Sequence, residues 1–219
     1  MPLAAYGSDP AISRGRRHAE PARRRRLRER PHEGQHQAQF LGRQRHAVTG
    51  GLGQATARQA KKHKMTIIGV NTTGKKVPGF DRVVKAKDMA KVFPKADFLV
   101  VTLPITKGTE NLIDRKLIDL LPNHCGIVNI GRARVMDYGA MVDRLRSSTL
   151  AGAVCDVFDP EPLPASSPWY DFENVIVTPH TSWASGRVLD RSVELFCDNL
   201  RRFARGEPLR NVVDPGVGY

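Results

Sequence analysis

The chain has 219 residues, of which 40% are hydrophobic, so it can form one domain with a buried core or two small ones. Its formal net charge of +13 would normally suggest a nucleic-acid or acidic partner, but half of this excess lies in the first fifth of the chain. No apolar stretch is long enough to span a membrane, and we expect no membrane partner.

Residues 1–46 differ in character from the rest of the chain. They contain eleven arginines, no lysine, four acidic residues and four of the seven histidines. Their few large apolar residues follow neither a helical nor a strand period, so we predict a disordered segment. The run RRRRLRER at 23–30 could be a nucleic-acid patch, a targeting signal or a solvated tail. We favour the solvated tail, since no aromatic stacking motif accompanies the arginines.

From residue 49 onward, apolar runs alternate with stretches of helical character. Alternation of this kind is typical of an α/β fold, here a Rossmann-like doubly wound parallel sheet. In such a sheet, ligands bind at the carboxyl ends of the strands. The pattern predicts strands at 65–70, 82–86, 97–104, 126–130, 150–158 and 173–180, and helices at 54–64, 87–93, 114–121, 137–148 and 185–206. We place the dinucleotide-binding domain at 47–206 and a C-terminal tail at 207–219.

The sequence TGGLG at 49–53 nearly forms the glycine fingerprint of a dinucleotide site. Val48 stands where the first glycine belongs, and polar residues at 43–46 stand where the first strand belongs, so we predict that this strand is impaired. Alone, the stretch could also be an ordinary glycine-rich turn. As a fingerprint, it predicts that the cofactor pyrophosphate is contacted by Gly50, Gly51, Leu52 and Gly53.

The second strand ends at Asn71 and Thr72, where an acidic residue would normally bind the ribose hydroxyl of NAD. Neutral residues followed by Lys75 and Lys76 tolerate a 2′-phosphate, so within NAD(P) we slightly favour NADP. The alternative interpretation is that these lysines only solvate the loop.

Three residues at successive strand ends have the chemistry of carbonyl reduction. His180 can protonate a developing alkoxide, Glu161 can hold the histidine tautomer, and Arg132 can bind a substrate carboxylate. Taken singly, such a histidine or arginine is usually structural or a surface charge, and it is the joint occurrence that favours catalysis.

The three cysteines, Cys125, Cys155 and Cys197, are widely spaced and form no metal-binding pattern. We therefore predict no metal site and interpret them as reduced thiols, of which Cys125 and Cys155 are buried. This usage is typical of a cytoplasmic protein.

Residues 49–212 resemble the cofactor-binding domain of the D-isomer-specific 2-hydroxyacid dehydrogenases, especially the hydroxypyruvate and glyoxylate reductases. The matching stretches are TGGLGQATARQAK, LPITKGTENLID, VNIGRARVMD, GAVCDVFDPEPLP and VIVTPHTSWAS. The resemblance implies an oxidoreductase that reduces small 2-oxoacids to 2-hydroxyacids with NAD(P), in a homodimer. It implies that Arg132 binds substrate, Glu161 is the carboxylate partner and His180 is the acid/base.

The resemblance also implies further contacts around the reaction centre. Asp156 would face the nicotinamide carboxamide, and Trp183 would wall the substrate pocket. The cofactor would be lined by Leu103, Pro104, Thr106, Ile130 and Gly131.

The sequence departs from the family before residue 48. Family members carry a substrate domain ahead of the fingerprint, and the first 46 residues do not resemble it. We interpret this segment as translated out of register or as a new leader on a shortened gene. Three functions follow in order of preference: a 2-oxoacid reductase, a non-catalytic remnant that binds nucleotide or dimerises, and a nucleic-acid binder.

Overall fold

A computed structural model describes residues 37–41, 49–214 and 216, with only the backbone of 37–41 and Thr49. The described residues form a parallel seven-stranded sheet in the order β3-β2-β1-β4-β5-β6-β7. Its strands are β1 Gln37–Leu41, β2 Thr66–Asn71, β3 Arg82–Lys85, β4 Phe98–Val101, β5 Gly126–Asn129, β6 Gly152–Cys155 and β7 Val175–Val177. The α-helices are α1 Thr49–Lys62, α2 Arg115–Asp119, α3 Tyr138–Arg146 and α4 Val188–Ala204. The predicted doubly wound class is therefore confirmed.

Of the predicted strands, β2, β4, β5 and β6 are largely buried, whereas β3 and β7 at the edges of the sheet are more exposed. β2 and β4 carry near-continuous apolar runs, as strands covered on both faces do. The largest group of buried side chains lies between this sheet and the segments that connect β3 to β7, and it includes Phe93, Leu99 and Ile127. Cys125 and Cys155 belong to it as buried free thiols, as predicted.

The first strand differs from the expectation. β1 lies at Gln37–Leu41, between β2 and β4, and it pairs in parallel with both neighbours. The sequence pointed to residues 43–46, where no apolar run exists, and so predicted an impaired strand. Main-chain hydrogen bonds on both sides define this strand, and they do not require an apolar run. The remainder of the predicted disordered segment, residues 1–36 and 42–46, lies outside the described residues.

The predicted helix at 87–93 is not an α-helix. Two short 3-10 helices, Ala86–Lys91 and Phe93–Lys95, occupy this region. Pro94 cannot donate a main-chain hydrogen bond and disfavours the α conformation at Phe93, which limits the helix to short turns.

The last helix, α4, lies close to its predicted bounds and ends before Gly206, which has a positive φ of 67°. Its apolar residues follow helical spacing, but each is more than half exposed: Leu189, Val193, Phe196, Leu200 and Phe203. No side chain of α4 is buried. Among the described residues, no helix is both long and apolar enough to cross a membrane.

Gly152 and Gly126 occupy paired register positions at the starts of β6 and β5. A methyl group at Gly152 would lie 2.4 Å from the main-chain oxygen of Asn174, which accepts a hydrogen bond from Ala153. At Gly126 the nearest atom is 3.2 Å away, in the side chain of Phe98, which can shift.

We therefore expect Gly152→Ala to lower the free energy of unfolding by about 1–3 kcal/mol in urea titrations. Gly126→Ala is the matched control, and we expect it to cost less than about 1 kcal/mol. Equal losses in the two variants would contradict the close approach of Asn174.

Candidate active site

A histidine–carboxylate pair lies at the carboxyl edge of the sheet. His180 follows β7, Glu161 follows β6, and 2.8 Å separates Nδ1 of His180 from Oε2 of Glu161. The other oxygen of Glu161 accepts a hydrogen bond of 2.8 Å from the main-chain N–H of Phe158. The structure thus brings together two of the three predicted catalytic residues.

The environment of Glu161 keeps it ionised. Its hydrogen bond with His180 is the largest influence and lowers its pKa, partial burial opposes this, and the Phe158 N–H and the Arg132 charge lower it further. An ionised carboxylate can only accept hydrogen bonds, so Nδ1 of His180 carries the proton of this pair. The second ring nitrogen, Nε2, is then left for a substrate.

Asp156 fastens the loop that carries His180. Oδ1 accepts hydrogen bonds from the Thr178 hydroxyl at 2.5 Å and the Thr181 N–H at 2.8 Å, and Oδ2 accepts from the Ser182 N–H at 2.9 Å. The main-chain N–H of His180 also donates to the Asp156 carbonyl oxygen at 2.8 Å. These bonds hold His180 at a φ of +54°, in the left-handed region that few non-glycine residues adopt.

Arg132, the third predicted catalytic residue, lies in the loop after β5 and lines the same cavity as Glu161 and His180. This cavity has a volume of about 300 Å³ and is also lined by Ile105, Arg134 and Phe158. The Arg132 guanidinium donates a hydrogen bond of 2.7 Å to the carbonyl oxygen of Gly131 and is otherwise exposed. A cation, a histidine and a carboxylate therefore face one space large enough for a small acid.

Arg134 was missed by the sequence reasoning, although it lies in the stretch NIGRAR that identified Arg132. Its guanidinium forms ion pairs with Glu110, in the loop after β4, and with Asp159, in the loop after β6. Arg134 therefore joins three loops at the rim of the cavity.

The start of α1 fits a dinucleotide phosphate. The helix has no acidic residue in its first turn, so its N-terminal dipole is not neutralised there. A methyl group added at Gly51 would meet no atom within 4 Å, and Leu52 is exposed, while Gly53 is buried close to Phe80 and Thr102. Gly50 is half-buried. Residues 42–48, which precede the helix in the sequence, lie outside the described residues.

The predicted cofactor-lining residues lie in two adjacent loops that follow β4 and β5. Leu103 is buried, and Pro104, Thr106 and Ile130 are partly exposed. Gly131 is buried at a close approach of these loops, because a methyl group there would lie 2.6 Å from the Leu103 carbonyl oxygen. Only glycine fits at this approach.

The amide of Asn71 is used within its own loop. Its oxygen accepts from the main-chain N–H groups of Thr73 and Gly74 at 3.0 and 2.6 Å, and its nitrogen donates to the Lys75 carbonyl oxygen at 3.2 Å. The buried Asn71 therefore shapes its own loop, and its predicted contact with a ribose stays a prediction. Thr72, Lys75 and Lys76 are exposed beside it and remain candidates for ribose contact.

Two further contacts were expected from the family resemblance. The Asp156 carboxylate is 2% exposed and accepts hydrogen bonds from the loop after β7, and its contact with a nicotinamide carboxamide stays a prediction. Trp183 is 65% exposed, and its indole N–H donates to the His180 carbonyl oxygen at 2.8 Å. It lies outside the lining of the 300 Å³ cavity, and its role as a wall of the substrate pocket stays a prediction.

Replacing the Asp156 carboxylate by an amide tests its role as a loop fastener. Burial raises the pKa of Asp156, but hydrogen bonds from Ser182, Thr178 and Thr181 outweigh this and lower it below the ordinary value. We expect Asp156→Asn to lower the free energy of unfolding by about 1–3 kcal/mol at pH 7. The NH₂ group of the new asparagine would face an N–H or O–H donor and could not accept its hydrogen bond.

The pH dependence follows from the sign of this shift. A lowered folded-state pKa stabilises the protein above the unfolded pKa of about 3.9, and this contribution is lost as the pH falls through the folded pKa. In urea titrations between about pH 5 and pH 2, the free energy of unfolding should fall more steeply with decreasing pH for the wild type than for Asp156→Asn. Asp171→Asn, at an exposed carboxylate, is the control and should follow the wild type; a curve for Asp156→Asn parallel to the wild type would contradict the fastening role.

Comparison with known proteins identifies the family. Residues 15–182 match the D-isomer specific 2-hydroxyacid dehydrogenase NAD-binding domain, and the match begins within the arginine-rich segment. A glyoxylate reductase of Korarchaeum cryptofilum is 31% identical over 168 residues, covering 77% of this chain and 51% of that protein. An uncharacterised Corynebacterium melassecola protein is 34% identical over 170 residues, covering 78% and 56%. The chain thus spans about half the length of the relatives it matches.

Solved structures agree with this match. A D-isomer specific 2-hydroxyacid dehydrogenase from Xanthobacter autotrophicus Py2, in complex with NADPH and MES, superposes with a TM-score of 0.75 at 31% identity, covering 84% of this chain and 73% of that one. An NADPH-dependent glyoxylate/hydroxypyruvate reductase from Sinorhizobium meliloti, with NADP and sulfate, gives a TM-score of 0.74 at 30% identity, covering 84% and 57%. The chain therefore belongs to the D-isomer specific 2-hydroxyacid dehydrogenase family and carries its NAD-binding domain.

Proposed function

We propose that this chain provides the catalytic half of an NADPH-dependent reductase that converts small 2-oxoacids, such as glyoxylate and hydroxypyruvate, into 2-hydroxyacids. The observation that carries the proposal is the shared cavity of Arg132, Glu161 and His180 at the carboxyl edge of the sheet. The glyoxylate and hydroxypyruvate reductases among the relatives support this substrate class.

The protein groups divide the reaction between them. Arg132 binds the substrate carboxylate through its guanidinium and turns the keto oxygen toward His180. His180, protonated on both ring nitrogens, gives the Nε2 proton to the keto oxygen as negative charge develops there. Glu161 holds the ring by its Nδ1–H at 2.8 Å and stabilises the imidazolium before the transfer.

The cofactor supplies a hydride to the keto carbon when it is bound. The N-terminus of α1 would hold the phosphates of the cofactor. The close approach at Gly131 would hold together the two loops that line the cofactor. The product is the 2-hydroxyacid with the oxidised cofactor, and His180 regains its proton from solvent.

The first experiment measures NADPH oxidation at 340 nm with glyoxylate and hydroxypyruvate, together with NADPH binding by calorimetry. Turnover supports the proposal. Binding without turnover of either acid would contradict it and would favour the alternative of a non-catalytic nucleotide-binding domain. The predicted homodimer and the cytoplasmic location stay predictions, and sedimentation analysis of the same sample tests the first.

Loss of the catalytic acid should separate chemistry from cofactor binding. We expect His180→Gln to reduce kcat by about 10²–10⁴, because the keto oxygen loses its proton donor, while the Kd for NADPH is unchanged. The matched control is His124→Gln. His124 also pairs with a carboxylate, that of Asp97 at 3.0 Å, but it precedes β5 at the opposite edge of the sheet. Equal activities of His180→Gln and wild type would rule out the assignment.

The preference for NADPH should depend on Lys75 and Lys76, which are exposed beside the end of β2. We expect the double alanine variant to bind NADPH about three- to tenfold more weakly and NADH with unchanged affinity, because only NADPH carries the 2′-phosphate. Lys62→Ala, at the far end of α1, should leave both affinities unchanged. An unchanged ratio in the double variant would mean that the phosphate is bound elsewhere.

A further inference from the structure

The hydroxyl group of Tyr138 connects the carboxyl ends of two neighbouring strands, β5 and β6. Tyr138 is the first residue of α3, and its hydroxyl donates a hydrogen bond of 2.7 Å to the carbonyl oxygen of Val157, just after β6. The same hydroxyl accepts a hydrogen bond of 3.0 Å from the amide nitrogen of Asn129, the last residue of β5. Burial raises the pKa of this phenol, so it remains a neutral donor.

Tyr138 is linked to Glu161 through one peptide group that lies between them. The Val157 carbonyl and the Phe158 N–H belong to the same planar peptide. Tyr138 holds its carbonyl end, and its N–H end donates to Oε1 of Glu161 at 2.8 Å. Oε2 of Glu161 in turn accepts from His180. A continuous chain of hydrogen bonds therefore runs from a buried side chain to the catalytic histidine.

Asn129 extends the same chain toward Arg132. The Asn129 side chain is fully buried, its oxygen accepts from the Gly131 N–H at 3.0 Å, and its nitrogen also lies 3.4 Å from the Arg132 carbonyl oxygen. The loops that carry Arg132 and Glu161 therefore share one polar centre, made by Asn129 and Tyr138.

Aromatic packing fixes the orientation of the Tyr138 ring. The ring meets Phe158 edge-on with centroids 5.9 Å apart and Trp169 at a tilt with centroids 5.1 Å apart. Removing the hydroxyl group alone leaves these ring contacts in place, so the contribution of the hydroxyl can be measured separately from that of packing.

We propose that Tyr138 is a positioning residue for catalysis, whose hydroxyl orients the Val157–Phe158 peptide and through it the Glu161–His180 pair. The inference rests on the proposed reductase function for its kinetic consequences. Its structural part, the link between Tyr138 and Glu161, is independent of turnover. Chains of hydrogen bonds polarise one another, so removing the first link weakens the last.

The test replaces Tyr138 by phenylalanine. The Val157 carbonyl then loses its donor, and the peptide is free to tilt away from Glu161. We expect kcat to fall about tenfold, the factor that corresponds to one buried hydrogen bond, with an unchanged Kd for NADPH. In a Glu161→Gln background, the same replacement should change kcat less than twofold. Tyr138 acts through Glu161, so the effects of the two replacements are not additive.

A second readout does not require activity. Carbon-13 NMR of labelled glutamate carboxyl groups, assigned with Glu161→Gln, follows the titration of Glu161 directly. His180 and Arg132 are the charged groups that lower the pKa of Glu161, and both remain in Tyr138→Phe. We expect the pKa of Glu161 to rise by about half a unit or more in Tyr138→Phe, because the Phe158 N–H bond weakens.

Leu150→Val is the control for general destabilisation, because Leu150 is buried two residues before β6 and takes no part in the chain of hydrogen bonds. It should lower the Tm without moving the Glu161 titration. The proposal is overturned if Tyr138→Phe titrates like the wild type, or if Leu150→Val raises the pKa of Glu161 as much. A wild-type chain without turnover refutes the proposed function alone, since the titration still decides the role of Tyr138.

Discussion

The parallel direction of the strands is the constraint on which the site depends. Because all seven strands run the same way, the loops after β4, β5, β6 and β7 emerge at one edge. Residues that lie far apart in sequence, Arg132, Glu161 and His180, can then line one cavity. Pairing of β1 with both β2 and β4 keeps the two halves of the sheet continuous, so the helix start at Gly50 faces the same edge.

Close main-chain contacts turn this shared edge into a defined geometry. Gly131 allows the loops after β4 and β5 to touch, and the Asp156 carboxylate draws the loop after β7 onto the end of β6. These contacts involve main-chain atoms and the Thr178 hydroxyl, and not the reactive side chains. Apart from the Phe158 N–H bond to Glu161 and the Arg132 bond to the Gly131 carbonyl oxygen, the polar atoms of the reactive groups remain available for one another and for a substrate.

The sequence predicted the sheet well because buried parallel strands are continuous apolar runs, as in Thr66–Asn71 and Phe98–Val101. It predicted the wrong place for the first strand, because Gln37–Leu41 is defined by its pairing with two neighbours, which no local pattern reveals. The three residues proposed to be catalytic were identifiable from polar residues after apolar runs. The same rule does not distinguish a ligand contact from a loop hydrogen bond at Asn71, since a short polar side chain at a strand end can bond its own loop as readily as a ligand. Tyr138 gave no signal, because its partners, the Asn129 side chain and the Val157 carbonyl oxygen, lie 9 and 19 residues away in the sequence.

The distribution of burial explains why these supporting residues matter. Asn129 and Asp156 are 0% and 2% exposed, whereas the side chains of Glu161 and His180 are 38% and 35% exposed. Exposed ion pairs contribute little to stability, because water competes for both partners. The Glu161–His180 pair therefore cannot maintain its own geometry and depends on the buried hydrogen bonds beneath it. Buried hydrogen bonds are costly to leave unmade. This cost keeps the solvent-accessible His180 in a left-handed backbone conformation, at the position where the proposed reaction requires a proton donor.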